Sequence, residues 1–281
     1  MFPVTVIIGF FGLLAAALFD MFSKHNEIPD WLNYSMIGVG LGSAVITAFM
    51  TEKYILILYS LAGLVAAGIF GWILYKLNQW GGGDAKAIMG IGALLGINFS
   101  QGFPTLAMFV INIFIVGAII GIFWTIYKVI KNFKEFKTTF KELIRSKKII
   151  RVRIAIIIIC AGLLIYGFTQ IGITKILSVG FAAIIFFMFY FYMFNKAADK
   201  SCMKKEMDVA ELVEGDWLAE EVKIGKKVFA AKMTLEKNDL ETIKKHKKTV
   251  VVRVGMPFLP SFVIAYLITF LIGNWLIYLV I

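Results

Sequence analysis

The sequence predicts an all-α polytopic membrane protein of about eight transmembrane helices (six to eight), with a small mixed α/β cytoplasmic module. Three observations predict it. Of the 281 residues, 60% are hydrophobic and only 17% are charged, whereas a water-soluble domain runs near half apolar and a quarter charged. The apolar runs are long enough to cross a bilayer. The 29 basic residues, which outnumber 18 acidic ones, are gathered in polar stretches between those runs. The same composition excludes a disordered chain, because little of it prefers water to burial.

Reading apolar runs in order gives spans at 3–19, 33–50, 54–76, 84–99, 103–130, 152–169, 173–194 and 257–281. The first follows Met-Phe-Pro with no basic stretch before it and no small-residue cleavage site after it. It therefore reads as a retained helix and not a signal peptide. The fourth is short and glycine-rich, and the sixth and seventh meet in a tight turn near Gly172. The two cysteines, Cys160 and Cys202, form no CxxC pair, so a four-cysteine zinc module and a disulfide framework are ruled out.

Two polar segments interrupt the spans. Lys128 to Arg153 carries ten Lys/Arg against Glu135 and Glu142. Phe133, Phe136, Phe140, Leu143 and Ile144 recur there at helical spacing, which predicts an amphipathic helix on the membrane surface. Lys196 to Arg253 carries fourteen Lys/Arg against eleven acids and reads as a soluble module. Within it the sequence predicts a turn at 214–216, a helix over about 235–247 and a β-branched strand over 249–254. The resulting division is 1–130 as membrane core, 131–151 as basic surface segment, 152–194 as an added transmembrane hairpin, 195–253 as cytoplasmic module and 254–281 as final helix. Excess Lys/Arg marks cytoplasmic loops, so both basic segments face the cytoplasm and the expected location is a multi-pass cell-membrane protein. A clustered positive charge of this kind implies anionic membrane lipid as a partner, and not nucleic acid.

Asp20 closes the first apolar run and Asp84 opens the fourth, which places both at the cytoplasmic membrane boundary. An aspartate at mid-membrane depth costs roughly 2.5–3.5 kcal/mol on insertion scales, and less near the interface. Two carboxyls brought within hydrogen-bond range share one proton, because both cannot ionise cheaply. The ionised member can then activate water while the protonated one polarises a peptide carbonyl, which hydrolyses an amide with no metal or cofactor. The approach to Asp84 is Gly81-Gly82-Gly83, where glycine permits positive φ and close approach of another chain. Plainer readings stand beside this one. A lone aspartate after a span is ordinarily a boundary residue, a Gly-Gly-Gly-Asp turn is ordinarily a flexible N-cap, and Lys86 reads equally as a snorkelling lysine. Asp30, between Pro29 and Trp31, reads as the N-cap of the second span. His25 and His246 have no partners at ligand spacing, so no metal site is expected.

Gly81-x-Gly83-Asp84 with Lys86 at the start of a span resembles the GxGD motif of membrane aspartic proteases. Asp20, eight residues before Ile28-Pro29-Asp30, makes the resemblance specific to type IV prepilin peptidases. Leu212-Val-Glu-Gly-Asp-Trp217 and Gly255-Met-Pro-Phe-Leu-Pro-Ser261 are similar to the C-terminal region of the archaeal prepilin and preflagellin (archaellin) branch. The resemblance implies removal of a short basic leader from pilin-like precursors, with Asp20 and Asp84 as the catalytic pair. It also implies Gly81 and Gly83 as shapers of the loop and Lys86 as an accessory group. Glu27 and Asp30 are candidate contacts for the basic leader. Bacterial members that also N-methylate the product carry paired CxxC motifs, which this chain lacks, so peptidase activity without methyltransferase activity is expected. Two alternatives differ in class. A presenilin or signal-peptide-peptidase type protease would show a Tyr-Asp pair and a Pro-Ala-Leu motif, whereas here Phe19 precedes Asp20 and no Pro-Ala-Leu occurs. An ion-coupled transporter would use Asp20 and Asp84 as ion sites near the midplane, within an inverted repeat that the sequence does not display.

Overall fold

The computed structural model describes residues 3–23, 28–98, 103–225, 227–230, 235–273 and 275. Among them, six helices are long and apolar enough to cross a membrane. These are α1 (Pro3–Phe22), α2 (Asp30–Thr51), α3 (Ile55–Lys76), α5 (Thr105–Lys131), α7 (Lys147–Thr169) and α8 (Ile173–Ser201). The fourth expected span is the 14-residue helix α4 (Gly82–Leu95). At 1.5 Å per residue it is about 21 Å long, short of the ~30 Å hydrocarbon layer. The last expected span is α10 (Leu259–Leu271), and most of the residues after it lie outside the described ones.

What α4 lacks in length it makes up in burial. Apart from Ala85, Lys86 and Met89, every residue from Asp84 to Leu95 is buried, against α3 on one side and α2 on the other. The buried residues of α3 are all small: Ser60, Gly63, Ala67 and Gly71. They lie three or four apart and so share one face. That face lets the backbones meet, as small residues do between membrane helices. A Cβ on Gly63 would sit 2.7 Å from Gly96 Cα, and one on Gly71 3.0 Å from the Ala85 carbonyl oxygen. Ser60 Oγ donates to the Ala93 carbonyl at 2.6 Å. On the other side, a Cβ on Gly40 of α2 would come within 2.7 Å of the Ala93 carbonyl carbon. The large side chains of α3, among them Leu58, Ile69 and Trp72, are left facing outward, where lipid is their solvent.

Helices α1, α5 and α10 complete this body. Tyr266 of α10 donates to the Val6 carbonyl of α1 at 3.0 Å, and Gly9 leaves room for its ring. Between α5 and α10, Asn112 Nδ2 donates to Thr269 Oγ1 at 2.9 Å, so each buried polar group meets another. Trp80, in the turn after α3, packs its ring on Phe70, Phe114, Phe258 and Phe262, with centroids 5.2–6.4 Å away. It thereby ties α3, α5 and α10 together beside the start of α4.

The basic segment is helical as expected: α6 spans Phe133–Arg145. Part of its apolar face is covered by the protein itself, while Phe133 stays exposed. Phe136 packs on Phe140 and on Phe194 of α8, with centroids 5.5 and 5.3 Å apart, in a cluster with Val129, Ala197, Ala198 and Cys202. Helices α7 and α8 form a hairpin and extend beyond the apolar runs, α7 beginning at Lys147 and α8 ending at Ser201.

The polar module pairs β1 (Lys204–Asp208) antiparallel with β4 (Thr249–Arg253), and β2 (Val222–Ile224) with β3 (Lys227–Phe229). Helix α9 (Lys237–His246) covers them, over a core that includes Leu212, Leu218, Phe229, Leu235, Ile243 and Val252. The expected helix and strand are present within a residue or two. The turn at 214–216 is there as well, with Gly215 at φ +101°, where glycine avoids the Cβ penalty. Strand β1 and the β2–β3 hairpin were not anticipated. Arg253 at the end of β4 reaches Asp199 of α8 at 2.6 Å, joining the module to the helix that leads into it.

Candidate active site

Asp20 lies in the last turn of α1, and Asp84 is the third residue of α4. They are only 7% and 9% exposed, and the two helices that carry them pack against each other. The two aspartates that the sequence singled out are thus both buried, at the ends of two packed helices.

Each carboxylate is held by a backbone amide. Asp84 Oδ2 accepts the Gly81 N–H at 3.0 Å, closing the first turn of α4 onto itself in the manner of a capping box. Asp20 Oδ2 accepts the Leu259 N–H at 3.0 Å. Leu259 opens α10, so its N–H has no intrahelical partner, and the positive end of the helix faces the carboxylate. Pro260 sits in the same first turn, where the absence of its own N–H costs nothing. This donor was missed at the level of sequence. The Gly255–Ser261 segment was noticed for its resemblance, and proline marked a helix start, but nothing in it said which carboxylate the helix would meet.

The glycines act in only one of the two ways expected. Gly81 has φ −73° and ψ 163°, and neither it nor Gly82 or Gly83 takes a positive φ. Of the two uses that the sequence offered for these glycines, positive φ is not taken up, and close approach is, by Ile28 of this same chain. A Cβ on Gly83 would collide with Ile28 Cδ1 and lie 3.3 Å from its Cγ1. The Ile28-Pro29 turn before α2 consequently seats directly on the approach to Asp84. At Gly81 the equivalent atom would be 3.5 Å from Asp84 Oδ2, an ordinary contact.

Lys86 points away from the carboxylate pair. Its ammonium donates to Asp30 Oδ1 and stands over the Tyr34 ring, 5.9 Å from the centroid. Both partners of the ion pair are more than a third exposed, so the pair contributes at most about 1 kcal/mol. Asp30 is not the N-cap of α2; Pro29 is, and Asp30 is the first helical residue. Glu27 and His25 lie outside the described residues. Among the described residues no group of three or more His, Cys, Asp or Glu is arranged to hold a metal ion.

A GxGD aspartate held beside a second aspartate, among membrane-spanning helices, is the arrangement that the GxGD membrane aspartic proteases share. Comparison with known families narrows the class: residues 7–126, which contain both aspartates, match the type IV leader peptidase family. Curated proteins named preflagellin peptidase are similar to the chain. The one from Methanocaldococcus jannaschii is 34% identical over 92 residues, which cover 33% of this chain and 38% of that protein. The one from Methanococcus voltae is 31% identical over 137 residues, or 44% of this chain and 56% of that protein. The one from Methanococcus maripaludis is 33% identical over 89 residues, or 32% and 37%. The chain thus spans between about a third and a little over half of the length of these relatives.

Proposed function

We propose that this chain is a membrane aspartic endopeptidase that removes the short basic leader of type IV pilin-like precursors, prepilins or preflagellins, at the cytoplasmic membrane face. The observation that carries the reading is the burial of both Asp20 and Asp84, on helices that pack together, within the stretch that matches the leader peptidase family. Two buried carboxyls that meet at one peptide bond cannot both carry charge cheaply, so in this reading they share one proton. The ionised member takes a proton from water, the resulting hydroxide adds to the scissile carbonyl carbon, and the protonated member donates toward the carbonyl oxygen. Collapse of that adduct breaks the C–N bond, and the proton first taken from water goes to the leaving amine. The amides of Leu259 and Gly81 fix the carboxylates in position, so little reorganisation is needed during reaction.

The site sits at helix ends and not at mid-span, which suits a bond just outside a substrate's hydrophobic helix. The positive-inside rule puts the α6–α7 elbow and the polar module in the cytoplasm, and with them the carboxylate end of α1. In this reading the catalytic body is residues 1–130 closed by 254–281, while 131–253 carries a lipid-contacting basic face and the cytoplasmic module. A basic leader exchanges with Lys86 for Asp30, with Glu27 nearby in sequence. Co-expression with a precursor bearing a basic leader tests the whole. Wild type is expected to shorten the precursor, and Asp20→Asn and Asp84→Asn to leave it full-length while still inserting in the membrane. Shortening by both variants would assign the activity elsewhere.

The fit of Ile28 on Gly83 gives a second expected result. Gly83→Ala should slow precursor cleavage, because the new methyl displaces Ile28 and the turn that leads into α2. Ile28→Ala in the same chain removes the collision and should restore much of the rate. A double variant as slow as the single one would show that the glycine is needed for some other reason.

A further inference from the structure

Asn33 of α2 is fully buried, and neither Nδ2 nor Oδ1 of its side chain has a hydrogen-bond partner among the described residues. Such an amide loses its hydration with nothing in return, so its placement asks for a reason. Asn33 belongs to the stripe Asn33, Met36, Gly40, which faces α1 and α4: Met36 fills the space beside Gly12 and Gly90, and Gly40 touches Ala93. One turn earlier on the same helix Asp30 reaches Lys86. These contacts set the level of Asn33. It lies in the seam of α1, α2 and α4, about one helical turn further along the seam than Asp20 and Asp84. Since α1 carries one carboxylate and α4 the other, a peptide that reaches both must enter this seam.

A bond can be cut only in a locally extended chain, and an extended chain among membrane helices brings unpaired N–H and C=O groups with it. A primary amide supplies one acceptor and two donors, enough to answer both. We propose that Asn33 is a substrate-positioning residue whose side-chain amide hydrogen-bonds the precursor's backbone just past the scissile bond, where the hydrophobic segment begins. The inference rests on the peptidase reading above. The resting protein leaves the amide unpaired because its partner is the substrate.

The test uses the purified full-length chain in detergent with a pilin-like precursor, comparing wild type with Asn33→Leu and with the smaller Asn33→Ser. Thermal unfolding and the separate kcat and KM values are measured. Replacing an unpaired amide by a carbon side chain of the same shape should leave the melting temperature of Asn33→Leu equal to wild type or higher. Its kcat/KM should fall tenfold or more, chiefly through a raised KM, with Asn33→Ser in between. A kcat/KM within twofold of wild type in both variants overturns the proposal. So does a lowered melting temperature with KM unchanged, which would mark a structural residue. A wild type that cuts no pilin-like precursor overturns the peptidase reading and this inference with it, whereas failure of the variants' prediction beside an active wild type overturns this inference alone.

Discussion

Asp84→Asn and Asp84→Ala are expected to be equally inactive and unequally stable. Asp84 has two tasks: in the proposed reaction its carboxyl acts with that of Asp20, and its Oδ2 accepts the Gly81 N–H at the start of α4. Asparagine keeps an oxygen in that place, so the turn remains closed. It cannot take a proton from water, and cleavage should fall by about a hundredfold or more, the scale on which a general acid–base group acts. Alanine removes the acceptor as well, which should cost about 1 kcal/mol more, as loss of a helix cap does. Cleavage rates and thermal unfolding of the two variants in the same detergent check both halves. Equal stabilities would show that the hydrogen bond to Gly81 holds nothing in place, and residual cleavage by Asp84→Asn would take the catalytic role away from Asp84.

The largest effect on stability is expected at Gly92→Leu. A Cβ there would run into the Gly63 carbonyl and the Ala67 methyl, and its nearest neighbours are backbone as much as side chain. Helices α3 and α4 would have to separate, at about 3 kcal/mol or more. Because α4 presents Asp84, precursor cleavage should be lost along with the thermal transition. Gly42→Ala is the control: nothing lies within 4 Å of the added atom, and both properties should stay near wild type. A Gly92→Leu protein that melts like wild type would mean that the close seam between α3 and α4 does not form.

Much of this arrangement was legible in the sequence because the membrane simplifies the code. Long apolar runs gave the six long helices, a carboxylate at the edge of such a run stood out against its surroundings, and Gly-x-Gly-Asp marked the start of α4. Helical periodicity found α6 from its phenylalanines, but a period defines a face and not what covers it. That Phe194 of α8 would do so depended on a fold-back some sixty residues away. The short α4 was readable as a glycine-rich run, while its cause, the small-residue face of α3, became evident only with the two helices side by side. The glycines before Asp84 were read as permitting positive φ or the close approach of another chain, and glycine's freedom in φ is a local property. The space that Gly83 leaves for Ile28 is not local. Strand β1 lacked the alternation that would have announced it, since four of its five residues are charged, and β2 and β3, at three residues each, are too short for a period to show.

The hydrogen bond from Leu259 to Asp20 joins residues 239 positions apart. A ribosome adding roughly 5–20 residues per second makes Leu259 about 12–48 s after Asp20. Once α4 has been made, α1 and α4 can lie together in the membrane with one carboxylate unanchored for the rest of that interval. The nascent chain therefore carries both acids long before it carries the amide that aligns the first of them. Synthesis itself acts as a timer, and the carboxylate of Asp20 is anchored only when α10 is laid against α1.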